Sequence, residues 1–236
     1  MGKDVNFFSG RFGILKEYEA IRVDQYNNSE ALNVLKYDRK IGIMRGSNCF
    51  AAVLVNELVS DLGLEVANPI DLEGILSRSF PPVNLRHNYT DSALILIDNN
   101  VDENTVNLYL AENIRNQLKK INKFKTPRII PLSELKLIND EKSPYKLSFQ
   151  LKDNAKTIYT PQFGPKNDRK VLTHPRENRL PTVDKYHRSS IIKRRKLEAL
   201  ESGLSALSLR ANLNWTYSYY NLAGSGPGGR IVLVAK

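Results

Sequence analysis

One cysteine and three histidines are all that this 236-residue sequence offers in thiol and imidazole chemistry, and each scarcity closes off a class of protein. A lone Cys49 permits no internal disulfide and no cysteine-based zinc knuckle, so the fold must rest on its core, as suits a reducing compartment. None of His87, His174 and His187 stands three or four residues from another histidine, so no helical metal site is expected. The glycine-rich phosphate-loop and dinucleotide-binding signatures are missing too, and no cofactor is expected. No window reaches the roughly 18 apolar residues of a membrane span, and the first residues lack the apolar stretch of a signal peptide. The expectation is a chain that meets no membrane and works in the cytoplasm. The asparagine pairs 27–28 and 99–100, with frequent Lys, Ile and Tyr, mark A/T-rich coding of a kind found in phage; for a viral chain the location becomes host cytoplasm or virion.

What is present is a lopsided charge. The net value of +10 hides a division into 10 Lys/Arg against 16 Asp/Glu over residues 1–114, and 25 against 9 over residues 115–236. A basic half joined to an acidic one suits contact with nucleic acid, an anionic surface or an acidic neighbour subunit, although a solvated basic face gives the same count.

Hydrophobic residues make up 41% of the chain, enough to bury a core. The first clear unit starts near Lys40: a short apolar strand over 41–44, a turn and N-cap at Arg45, Gly46, Ser47 and Asn48, and a helix over 49–62 that Gly63 ends in the left-handed conformation. Strands are expected at 64–67, 92–97 and 128–132, and helices at 71–77 and from Val106 to Ile121, where Val106, Leu110, Ile114, Leu118 and Ile121 recur at helical spacing. Alternating strands and helices predict an α/β layered domain with a largely parallel sheet over 40–132. Residues 1–39 read as a strand-rich lead-in with a short helix over 29–37. Residues 133–236 read as a basic extension, punctuated by Pro161, Pro165, Pro175 and Pro181, with a C-terminal helix over 189–202 and a β-hairpin around the loop Gly224-Ser225-Gly226-Pro227-Gly228-Gly229.

Three constellations carry chemistry. In a parallel sheet, Gly46, Ser47 and Asn48 would present a helix N-terminus beside Asp98 at the strand ends, where phosphate or carboxylate binds; a cap and a turn explain the same residues more cheaply. Cys49 would then sit where a helix dipole lowers a thiol pKa, with His87 and Asp98 available as base and orienter, against the plainer reading of a small buried hydrophobe. The broadest signal is the basic half, where Tyr145, Phe149, Tyr159, Phe163 and Tyr186 interleave with cations, the ingredients of single-strand or RNA binding. Expected contacts are Lys166, Arg169, Lys170, Arg176, Arg179 and Arg188 on the arm, and Lys193, Arg194, Arg195 and Lys196 on the helix. The glycine-rich loop could cradle phosphate, but hairpin geometry accounts for it as well.

Together these features favour a non-enzymatic structural or assembly component of virion or nucleoprotein type. Its basic C-terminal half would dock on nucleic acid or on acidic neighbour subunits within a homo- or hetero-oligomeric assembly. The alternative is an enzyme acting on a nucleotide or nucleic acid at the strand-end pocket of the α/β domain.

Overall fold

The computed structural model describes residues 5–7, 12–40, 43–76, 88–97, 107–123, 125–159, 182–183, 189–190, 202–209, 215–218 and 221–236. In chain order the elements are β1 (Val5–Phe7), α1 (Phe12–Asp24), β2 (Lys36–Asp38), β3 (Ile43–Arg45), α2 (Cys49–Val59), β4 (Leu64–Val66), α3 (Pro69–Leu76), β5 (Thr90–Ile97), α4 (Leu108–Lys120), β6 (Arg128–Pro131), β7 (Leu135–Asn139), β8 (Leu147–Leu151), β9 (Ile158–Tyr159), β10 (Thr182–Val183), β11 (Ser189–Ser190), β12 (Gly203–Leu209), β13 (Trp215–Ser218) and β14 (Val232–Ala235).

The expected parallel sheet is not formed. Every described strand pair is antiparallel, in a five-stranded sheet ordered β13-β12-β5-β6-β9, a three-stranded sheet β1-β14-β4, and the pairs β2-β3, β7-β8 and β10-β11. The register explains the correction. Leu96, near the end of β5, lies opposite Arg128, the first residue of β6, so the chain between them leaves and rejoins the sheet at the same end. A strand-helix-strand alternation looks alike for that excursion and for a true crossover.

All eight residues of β5 are buried, as an apolar run predicts, because β5 is a central strand covered on both faces. Its side chains alternate between two cores. Leu94 and Leu96 join Ile130, Leu204, Ala206 and residues of α2 and α4 on one face; Ala93, Ile95 and Ile97 join Leu72, Ile75, Ile129, Leu207, Leu209, Trp215, Val232 and Val234 on the other.

Helix α2 is the hub of the first core. It packs against α1, β4, β5 and β7, and its residues from Cys49 to Asn56 include none that is exposed. Phe50 stacks on Phe149 at 4.6 Å and tilts against Tyr145 at 5.0 Å. Asn56, a polar residue in this apolar setting, accepts a hydrogen bond from the Val66 N–H at 2.9 Å and so joins the helix to β4. The expected helix end is present: a 3-10 turn over Ser60–Leu62 leads to Gly63 at φ 71°.

Further corrections concern the two ends of the chain. The lead-in is a 13-residue helix, α1, where a strand was expected; Tyr18 is its buried anchor and donates to the Leu32 carbonyl at 2.7 Å. The expected short helix over 29–37 is instead a 3-10 turn at Glu30–Leu32 followed by β2. Ser189 and Ser190, where a C-terminal helix was expected to begin, lie in a strand, and residues 191–201 are outside the described residues. The C-terminal hairpin is also absent: β13 pairs with β12, while β14 lies between β1 and β4 in another sheet. The glycine-rich loop is therefore a link between sheets.

Candidate functional site

The glycine-rich loop folds onto the N-terminus of α2. Gly46, at φ 106°, donates its N–H to the Gly229 carbonyl at 2.9 Å, and a Cβ on Gly46 would stand 2.1 Å from the Val34 carbonyl oxygen. A Cβ on Gly229 would lie 2.6 Å from the Ser47 nitrogen. Only glycine admits this approach at both places. Tyr89 locks the loop from the other side: its hydroxyl accepts from the Gly226 N–H at 2.6 Å and donates to the Ser47 carbonyl at 3.2 Å.

Beneath the loop lies a closed polar cluster. The buried Asp91 carboxylate accepts from the Ser47 hydroxyl at 2.6 Å and from the Ser208 hydroxyl at 2.5 Å, joining the α2 entry, β5 and β12. Burial pushes the Asp91 pKa up, and the two hydroxyls oppose that shift. The Ser47 N–H is taken by the Ser225 hydroxyl at 3.0 Å. Asn48 caps α2 through the Ala51 N–H at 2.7 Å and donates to the Ala31 and Ala223 carbonyls, each at 2.8 Å. Gly46, Ser47 and Asn48 thus spend these groups on the protein itself, as the cap and turn reading requires, and not as the ligand donors that were the other reading.

Cys49 is fully buried behind this cluster. Its thiol is pushed well above its ordinary pKa by burial and then by the Asp91 carboxylate, which fits the small buried hydrophobe and not the dipole-lowered thiolate weighed against it. The proposed partners His87 and Asp98 lie outside the described residues, as do Lys166, Arg169, Lys170, Arg176, Arg179, Arg188 and the run Lys193 to Lys196.

Among the places where the basic half reaches the described surface is the β9 edge of the five-stranded sheet. Tyr159 there is 42% exposed, and the Arg128 guanidinium carbon lies 5.9 Å from its ring centroid. Arg128 is itself held from behind, donating from Nε to the Lys125 carbonyl at 3.0 Å and from Nη1 to the Thr157 hydroxyl at 2.7 Å. Burial lowers its pKa, but a guanidinium remains charged at neutral pH. Lys123 donates to the Ala155 carbonyl at 2.7 Å, which draws the end of α4 towards the β8–β9 connection. Exposed Lys119, Lys120, Lys125 and Lys156 belong to the same stretches of chain. Acidic side chains are not absent: Glu134 accepts from the Lys156 N–H at 3.0 Å, and Asp153 is exposed nearby in the chain.

Of the rings expected to interleave with cations, Tyr159 alone among the described residues has this exposure. Tyr145 and Phe149 pack on Phe50, and Phe163 and Tyr186 are outside the described residues. Alternation marked Phe149 as one face of a strand, but nothing local distinguished a ring facing the core from one facing solvent.

Among the described residues no helix is long and apolar enough to cross a membrane, and no group of three or more His, Cys, Asp or Glu is placed to hold a metal ion. Compared with known proteins, the chain matches no family model, no curated sequence and no solved structure.

Proposed function

We propose that this chain is a non-enzymatic component of a nucleoprotein assembly, holding single-stranded nucleic acid through its basic C-terminal half. The observation that carries the reading is the exposed Tyr159 ring beside the Arg128 guanidinium, on a sheet edge served by lysines of α4 and the β8–β9 connection. A ring with a free face stacks on any base, and the surrounding cations neutralise phosphates and release counterions. The acidic neighbour subunit, the other partner considered, would use the lysines but has no need of the ring. A cytoplasmic or virion location accompanies this reading. Catalysis draws no support from Cys49, whose thiol is buried and hard to ionise.

The test is fluorescence anisotropy with a labelled single-stranded oligonucleotide across a salt series. Affinity should fall linearly on logarithmic axes as salt rises. Binding that ignores salt, or none at low salt, would reject the proposal. Tight binding to an acidic protein but not to the oligonucleotide would transfer the basic edge to a protein partner.

A further inference from the structure

A second cationic place joins the acidic half to the far end of the basic one. Strands β2 and β3 pair so that Lys36 stands directly opposite Arg45, an arrangement of like charges that disfavours the pairing unless something negative lies between or beside them. Arg39 and Lys40 are exposed in the connection that follows β2. Asp38 is the one acid of this hairpin among its described residues; its Oδ2 lies 2.5 Å from Arg45 Nη2 and its Oδ1 accepts from the Lys40 N–H at 3.0 Å.

That pair leaves Arg45 incompletely satisfied. Its Nε is buried and has no hydrogen-bond partner, the cost that folded proteins usually avoid. Next to Arg45 in sequence, Gly46 donates to the carbonyl of Gly229, and next to Gly229 stands Arg230. Arg230 is 7% exposed, and its Nη1 donates to the carbonyls of Pro227 and Gly229 at 3.1 and 2.5 Å. Carbonyls satisfy its hydrogens without balancing its charge. The Gly46–Gly229 hydrogen bond sets residues 45 and 230 on adjoining segments, and burial first and then the Arg45 charge weaken Arg230's hold on its proton, against smaller opposing effects of Asp38 and Tyr89. The N-terminus of α2, four residues beyond Arg45, adds partial positive charge.

We propose that Arg45 and Arg230, flanking the Gly46–Gly229 hydrogen bond, form a binding site for one phosphate group, with Lys36 as a supporting cation. A phosphate supplies acceptors for the orphan Nε and negative charge between groups that otherwise repel, and guanidinium forks match its oxygens. This site is separate from the Tyr159 edge and stands whether or not that edge binds nucleic acid. The phosphate belongs either to a free anion or monoester, or to the diester backbone of a strand.

Two probes on the full chain separate these sources: thermal unfolding with inorganic phosphate against chloride at matched ionic strength, and anisotropy with a short single-stranded oligonucleotide. Arg45→Gln should reduce the response to one of them, by about tenfold in affinity for the loss of a charge-assisted contact. Loss of the phosphate-dependent rise in melting temperature identifies the free anion or monoester; loss of oligonucleotide affinity identifies the diester. Asp38→Asn, which removes the competing carboxylate, should strengthen the same response, and it decides the matter if Arg45→Gln does not fold. Wild-type responses to both probes in whichever of these variants folds would overturn the site. Tyr159→Ala should leave the phosphate response intact, so failure of the sheet-edge reading and failure of this one are distinguishable.

Discussion

The α2 entry and the β9 edge are both polar, yet they treat their polar groups in opposite ways. At the α2 entry, Ser47, Asn48, Asp91, Ser208 and Ser225 bond to one another and to backbone, under a loop whose glycines let it close. At the β9 edge, Arg128 is anchored from behind while Tyr159 and neighbouring lysines face outward. The first region uses polarity to fix three segments of chain in one geometry. The second leaves it for a partner. Residue type alone does not separate the two cases; what separates them is whether the protein already supplies the complement.

The comparison breaks hardest at Gly46. Gly46→Ala puts a Cβ against the Val34 carbonyl at a backbone angle that side chains rarely adopt, so the expected loss is about 4 kcal/mol or more, read as a collapse of the urea midpoint.

Next comes Asp91→Ala, which strands the Ser47 and Ser208 hydroxyls in a buried site at about 1–3 kcal/mol for each group left unsatisfied. The wild-type carboxyl also predicts a pH dependence. Because the folded state raises the Asp91 pKa, the fold binds a proton more tightly than the unfolded chain does. Its contribution is full below the ordinary carboxylate range and is lost as pH rises through the raised value. Glu57, raised by burial and holding the Leu137 N–H at 3.0 Å, acts in the same direction. Urea midpoints should therefore fall across that acidic window as pH increases, and Asp91→Asn should flatten the part due to Asp91. A midpoint rising with pH across the window would contradict this account.

At the other region the losses belong to binding. Tyr159→Ala should weaken oligonucleotide affinity by about 1–3 kcal/mol, the worth of one stacked base. Its effect on stability should stay within about 0.5 kcal/mol, because the ring is already half in solvent. Smallest are the single lysines. Lys119→Gln or Lys125→Gln should each lower the salt slope by about 0.7 for a single strand, with no change in melting temperature.

Local rules made much of the fold readable. Asn48 as cap, α2 as a helix covered on several sides and Gly63 as its left-handed end all follow from neighbours in sequence. So do α4 and the fully buried β5. Strand direction was not readable, because the partners of β5 are fixed by β6 and by β12, more than a hundred residues away. Strand β12 itself reads Gly-Leu-Ser-Ala-Leu-Ser-Leu and carries buried Ser205 and Ser208, so it lacks the alternation that betrays a strand. The strand-rich reading of the lead-in fails in α1, where Tyr18 is buried and Val23 is 49% exposed, as different faces of a helix require. The proposed interface lies in the half of the chain that the charge division singled out. That division could not show Arg45 with Arg230, since a pairing across nearly the whole sequence leaves no local trace.

The placement of β14 between β1 and β4 has a consequence in time. Its registers tie Val5 to Val234 and Glu65 to the same Val234, so the first strand of the chain has no described ladder partner until residues near 234 have been synthesised. Closing so distant a contact is slow compared with forming α2 or α4. During synthesis the growing chain carries an open sheet edge at β4, together with the uncovered side of the second core to which Val232 and Val234 belong. Any shortened product that lacks Val232–Ala235 leaves that edge open and that core uncovered, and so is exposed to aggregation or to capture by chaperones.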